Sequence, residues 1–162
     1  REVYERSLEL AAGELARLVR PGDIVYCHDP QTAGLVEPMV EGALAELIVG
    51  VKADPHFGMV LVIGAGGILV ELLSDACRLL LPARRSEIEA ALRRLKVFPL
   101  LDGHRGKPQA DISAVLDAIE AVAGYAQHNL DTVAEIDVNP IMVLGKGRGV
   151  VAVDALIVEN HE

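Results

Sequence analysis

The chain has 162 residues, 51% of them apolar, which excludes intrinsic disorder and is enough for one domain with a real core. Its net charge of −9 and its 3% aromatic content exclude a duplex-coating surface and a base-stacking platform. No apolar run is long and clean enough to cross a bilayer: residues 59–73 come nearest and are broken by Gly64, Gly66, Gly67 and Glu71.

Leu8, Ala11, Ala12, Leu15, Leu18 and Val19 recur at helical spacing, and Pro21-Gly22 stops that helix. A short strand is expected over 23–27, running into the polar turn His28-Asp29-Pro30-Gln31. The start at Arg1 reads as a processed or truncated end and not as a signal peptide. Cys27 and Cys77 form neither a disulfide framework nor a metal knuckle, so reduced thiols and a cytoplasmic setting are expected.

Residues 35–40 contain Glu37-Pro38, and proline's missing donor makes this piece an edge strand or an extended connector. The β-rich runs 45–51 and 59–63 flank Asp54-Pro55-His56-Phe57-Gly58, which predicts an antiparallel hairpin. Gly64-Ala65-Gly66-Gly67 follows. It brings backbone amides close to a phosphate or makes a tight bend between strands. Periodicity does not separate strand from buried helix over 68–81, and 75–81 reads as a further strand.

Two helices come next. Ser86 and Glu89 read as a capping box ahead of Ile88, Ala91, Leu92 and Leu95. Asp111 reads as the cap of a helix over 111–126 with the stripe Ile112, Val115, Leu116, Ile119, Val122 and Ala123. The stretch 99–108 between them reads as a loop. Its Arg105, set between glycines, is a phosphate clamp or a solvated side chain. The basic run Arg84, Arg85, Arg93, Arg94 and Lys96 reads as a wet helix face, and none of the five histidines has a sequence-local catalytic partner.

The last stretch, 133–158, reads as a hairpin whose tip is near residue 147. Asp137 and Asn139 alternate on one strand face, and counting from the tip sets Asn139 nearly opposite Asp154. Three oxygen side chains so placed suit magnesium, or are the polar side of a half-exposed strand. The fold expected is α+β: a mostly antiparallel sheet of four to six strands, with both helices packed on one face and the N-terminal helix–strand unit at its flank.

Several ordered strings in one frame carry a resemblance. They are Val36-Glu37-Pro38-Met39-Val40, Glu46-Leu47-Ile48-Val49-Gly50, the glycine run through Glu71, the Pro99–Gly106 loop, Glu135-Ile136-Asp137-Val138-Asn139-Pro140 and Val153-Asp154-Ala155. Together they resemble the C-terminal part of the ATP-grasp domain of NDP-forming acyl-CoA synthetases, relatives of the succinyl-CoA synthetase β subunit, over about residues 36–158. The resemblance implies ATP or ADP and Mg2+ as cofactors. It implies adenine contacts from Glu37, Pro38, Met39 and Val40, and magnesium ligation by Asn139 and Asp154 with Asp137 beside them. Glu46, Gly66, Gly67 and Arg105 match recurring family positions and complete the cofactor-binding candidates.

The implied reaction is acid + CoA + ATP ⇌ acyl-CoA + ADP + phosphate. The lysine-bearing glycine-rich strand of the first ATP-grasp subdomain, the CoA-binding domain and the phosphohistidine segment have no counterpart in the sequence. The isolated chain is therefore expected to be incomplete as a ligase and to need the CoA-binding domain or subunit of its parent synthetase. Residues 1–35, ending His28-Asp29-Pro30-Gln31-Thr32-Ala33-Gly34-Leu35, resemble a strand-to-helix turn of trehalose-synthase-type glycosyltransferases, which implies a fusion or chimera, or a fragment with a foreign leader: a segment 1–35 of different origin joined to 36–162. Two other readings stand beside this one. The first is a non-catalytic module that pairs with a missing subdomain or self-associates; the second is a Rossmann domain over 60–71.

Overall fold

The computed structural model describes residues 42–66, 75–103, 106 and 108–160. The expected N-terminal helix and strand lie outside the described residues, as do the 35–40 connector, the ambiguous 68–73 stretch, His104 and Arg105.

Strand β1 (Ala45–Asp54) and strand β2 (Gly58–Ala65) form the predicted hairpin, in register from Asp54↔Gly58 to Leu47↔Ala65. The turn closes because the Asp54 carboxylate accepts hydrogen bonds from the His56 and Phe57 amides, at 2.8 and 3.1 Å. Gly58 takes φ +76°, a conformation that a side chain would strain. Strand β3 (Ala76–Leu80) adds antiparallel to β2.

Helix α1 (Arg85–Arg94) begins earlier than the Ser86–Glu89 box predicts. The Glu87 carboxylate accepts from the Arg84 amide at 2.8 Å, so the N-terminal turn closes around Arg84 and Ser86 falls inside the helix. A short helix α2 (Phe98–Leu101) replaces the start of the expected 99–108 loop. Pro99 is compatible with it because the first helical turn needs no amide donor there. Helix α3 (Ile112–His128) is capped by Asp111, as the sequence indicates.

Strand β4 (Val133–Val143) then pairs with β1. On its other side it pairs with β5 (Val150–Ala152) and β6 (Ala155–Glu159). Among the described residues the result is a six-stranded, antiparallel sheet in the order β3-β2-β1-β4-β5, with β6 also on β4. A Rossmann reading of 60–71 does not survive, because β2 has antiparallel partners on both sides and no parallel crossover.

Alternation decides which face is core. Leu47, Val49 and Val51 of β1, Leu61 and Ile63 of β2, and Ile136 and Val138 of β4 are buried with Ile88 and Leu92 of α1 and Val115 and Ile119 of α3. Both main helices thus cover one face, as expected. Each fully buried leucine, isoleucine or valine contributes about 1.5–3 kcal/mol. The opposite face carries Glu46, Gly50, Lys52, Glu135, Asp137 and Asn139, with no described helix over it.

Candidate functional site

The site is built on β4 and its return strand. Core-facing positions on β4 jump from Val138 to Ile141, and on the return strand from Ala152 to Ala155. The residues between them, Asn139-Pro140 and Val153-Asp154, leave the core side together. The pairing with β1 shifts at the same place, between Leu47 and Val49, so β4 carries one extra residue there. A proline inside a central strand needs such a bulge, since it has no amide to donate.

The ladder stays in phase through this irregularity. Val138 pairs with Ala155 and Ile141 with Ala152, which sets Asn139 opposite Asp154. The Asn139 amide donates to the Asp154 carbonyl and the Val153 amide to the Pro140 carbonyl, both at 3.0 Å. Directly opposed side chains in such a ladder have Cβ atoms about 4.5–5.5 Å apart. Two positions back, Asp137 stands between Leu156 of β6 and Gly50 of β1. A Cβ on Gly50 would lie 3.1 Å from the Ile136 carbonyl oxygen and 3.8 Å from Asp137 Oδ1, so a glycine keeps the ground beside this carboxylate clear.

Among the described residues the site is short of cations. Partial burial pushes the Asp137 carboxyl above the usual aspartate range, and the charges of Glu135 and Asp154 push it further. Among the described residues no cation pairs with Asp137 or Asp154; the nearby Lys52 is engaged by Glu135 at 2.9 Å. No group of three or more histidine, cysteine, aspartate or glutamate side chains poised to hold a metal exists among the described residues. The donor set is two carboxylates and an amide. These are hard oxygen ligands that suit magnesium and leave coordination positions for phosphate and water.

One row along the same face is Glu46. Its carbonyl accepts from the Gly66 amide at 2.8 Å, so these two candidates meet at the β1–β2 end. Gly66 is required there because a Cβ would lie 2.8 Å from the Leu47 backbone. The structure therefore brings together Asp137, Asn139 and Asp154, with Glu46 and Gly66 close by. Glu37, Pro38, Met39, Val40, Gly67 and Arg105 lie outside the described residues.

Sequence reasoning missed Glu135, Gly50 and Lys52. The two-residue spacing from Asp137 was a signal for Glu135. The glycine and the lysine become visible only through the β1–β4 register. An apolar cavity of about 290 Å³ lies on the other, helix-covered side, lined by Val122, Tyr125, Ile136, Val138 and Ile157 among others. Its lining is almost wholly apolar and lies on the face away from Asp137, so it is not part of this site.

An antiparallel sheet with helices on one face and a carboxylate–amide cluster on the other defines an α+β domain. Residues 26–158 match the ATP-grasp domain family, and the chain belongs to it. The match begins ahead of the join expected near residue 35.

The chain is 37% identical over 134 residues to the β subunit of the ADP-forming acetate–CoA ligase II of Pyrococcus furiosus, covering 82% of this chain and 56% of that one. It is 39% identical over 117 residues to the ADP-forming acetate–CoA ligase I of Archaeoglobus fulgidus, covering 72% of this chain and 17% of that one. Among solved structures, PH1788 from Pyrococcus horikoshii superposes with a TM-score of 0.69 at 35% identity, over 73% of this chain and 49% of that one. The acetyl-CoA synthetase 1 of Ca. Korarchaeum cryptofilum, solved with coenzyme A and Mg-AMPPCP, gives 0.66 at 34% identity, over 72% and 53%. The chain thus corresponds to the ATP-grasp portion of such synthetases and spans about half, or less, of the proteins it resembles. No described helix is long and apolar enough to cross a membrane.

Proposed function

We propose that this chain is the magnesium–nucleotide half-site of a cytoplasmic ADP-forming acyl-CoA synthetase, in which Asn139 and Asp154 hold Mg2+ on the phosphates of ATP or ADP and Asp137 supports them. The observation that carries this reading is the pairing of Asn139 with Asp154 beside a carboxyl whose ionisation is disfavoured by its own neighbours. A divalent cation bound there removes that repulsion, and when bound it neutralises charge on transferring phosphoryl groups. In this reading Glu37, Pro38, Met39 and Val40 meet the adenine, while Glu46, Gly66, Gly67 and Arg105 line the remainder of the nucleotide site. Acyl-CoA formation then requires the CoA-binding domain or subunit of the parent synthetase.

The test is calorimetric titration of ADP into the whole chain with magnesium and again with excess chelator. Binding that appears only with magnesium supports the reading. Equal heats in both, or none at millimolar nucleotide, would refute it.

A second reading rests on a different observation. Among the described residues strand β6 pairs on one side only, and its consecutive Leu156, Ile157 and Val158 are 58%, 41% and 39% exposed. An open, apolar edge pairs readily with another chain, so the isolated chain is expected to self-associate through β6.

A further inference from the structure

We infer that Arg78 is a phosphate-binding residue of this same face, closing the end of the site opposite the acidic cluster; the inference rests on the nucleotide reading above. On β2, Leu61 and Ile63 are core-facing, so Val62 belongs to the open face. The pairings Arg78↔Val62, Val62↔Gly50, Gly50↔Asp137 and Asp137↔Leu156 then place one row of side chains across the sheet. Arg78 and Asp137 stand three strand spacings apart in that row, about 14 Å. Between them lie only a valine and a glycine, so the floor is low.

Charge supports the assignment. The described cations of the outward-facing rows are Lys52 and Arg78. Lys52 is taken by Glu135, while no described residue forms an ion pair or hydrogen bond with the exposed Arg78. Among the described residues a carboxylate cluster without a cation therefore faces a guanidinium without an anion, too far apart to neutralise each other directly. A ligand that presents a divalent cation at one end and a phosphoryl group at the other satisfies both. The planar fork of arginine takes two phosphate oxygens at once, which an ammonium does not. Its stem is long enough to carry the fork over Val62 towards Gly50. The phosphoryl group is either the terminal phosphate of the nucleotide or a free phosphate bound beside it.

The experiment compares wild type, Arg78→Ala and Arg78→Lys by calorimetry with three probes: MgATP, MgADP, and inorganic phosphate added to the MgADP-loaded chain. Arg78 is exposed on a β strand at the sheet edge, and circular dichroism checks that each variant folds. The expected result is a loss of at least about tenfold in Arg78→Ala for one phosphate probe, with partial recovery in Arg78→Lys and MgADP affinity nearly unchanged. A loss confined to MgATP assigns the guanidinium to the terminal nucleotide phosphate. A loss confined to inorganic phosphate assigns it to the free anion. Unchanged affinity for all three probes, or an equal loss for all three, overturns the inference and leaves the nucleotide reading standing. Failure of the wild type to bind any probe overturns both.

Discussion

Replacing Asp111 with alanine tests how the hairpin that pairs Asn139 with Asp154 is held. Asp111 is a buried carboxylate with both oxygens committed. Oδ1 accepts from the Ala114 amide at 3.3 Å and caps α3. Oδ2 accepts from the amides of Gly147 and Gly149 at 2.9 and 3.0 Å, pinning the turn between β4 and β5. That turn sets the count that brings Asn139 opposite Asp154. Loss of a helix cap costs about 1 kcal/mol. Each amide that loses a charged acceptor costs about 1.5–3 kcal/mol when it stays dry, and less where water reaches it. The Gly149 amide bond is buried and that of Gly147 partly so. Asp111→Ala is therefore expected to destabilise by about 3–5 kcal/mol. Asp111→Asn keeps one acceptor oxygen and the cap preference, and is expected to lose about half as much. Urea unfolding followed by circular dichroism measures both, with an unchanged slope confirming that stability alone has moved. A loss below about 1 kcal/mol in Asp111→Ala would refute the reasoning, as would an asparagine variant no better than alanine.

Asp137→Asn is expected to separate stability from binding. The Asp137 carboxyl is held above its ordinary range in the folded chain, so in the window between the two the folded state binds more protons and stability falls as pH rises. The metal-free asparagine variant should therefore melt higher than wild type at neutral pH, with the gap closing as the pH drops below that window, while its affinity for MgADP falls; thermal melts from pH 3 to 7 and calorimetry read both. Gly66→Ala places a Cβ 2.8 Å from the Leu47 backbone, and a forced backbone shift of this kind typically costs about 1–3 kcal/mol; an unchanged urea midpoint would show that the contact relaxes freely. Ile157→Lys puts a charge on the open β6 edge and should convert a concentration-dependent sedimentation profile of the wild type into a monomer; a wild type that is monomeric at every concentration counts against the edge as an association surface.

Much of the fold was legible because its elements carry local signals. Leu47, Val49 and Val51 alternate with Glu46, Ile48, Gly50 and Lys52, and period two announces a strand with one face in the core. Asp111 announced α3 because a short acceptor side chain before an apolar stripe is what an uncapped helix end needs. The pairing of Asn139 with Asp154 was legible by counting outward from a glycine-rich tip, since a hairpin without a net slip preserves that count. The first turn of α1 was not: Glu87 and Glu89 both sit within reach of a cap, and only the approach of the chain through Arg84 decides between them. Pro99 read as a loop because proline breaks most helices, yet at a helix start it loses nothing. Gly50 beside Asp137 and Arg78 in the same row depend on pairings across three strand boundaries, and no local pattern encodes these. The tie of Asp111 to the hairpin tip is likewise long-range, between groups 36 and 38 residues apart.

The most direct measurement is titration of MgATP and MgADP into wild type and into an Asn139→Ala/Asp154→Ala double variant. The account predicts magnesium-dependent heats in the wild type that vanish in a variant still folded by circular dichroism. Equal binding by the two proteins would contradict it, because the nucleotide would then be held somewhere other than the β4–β6 face.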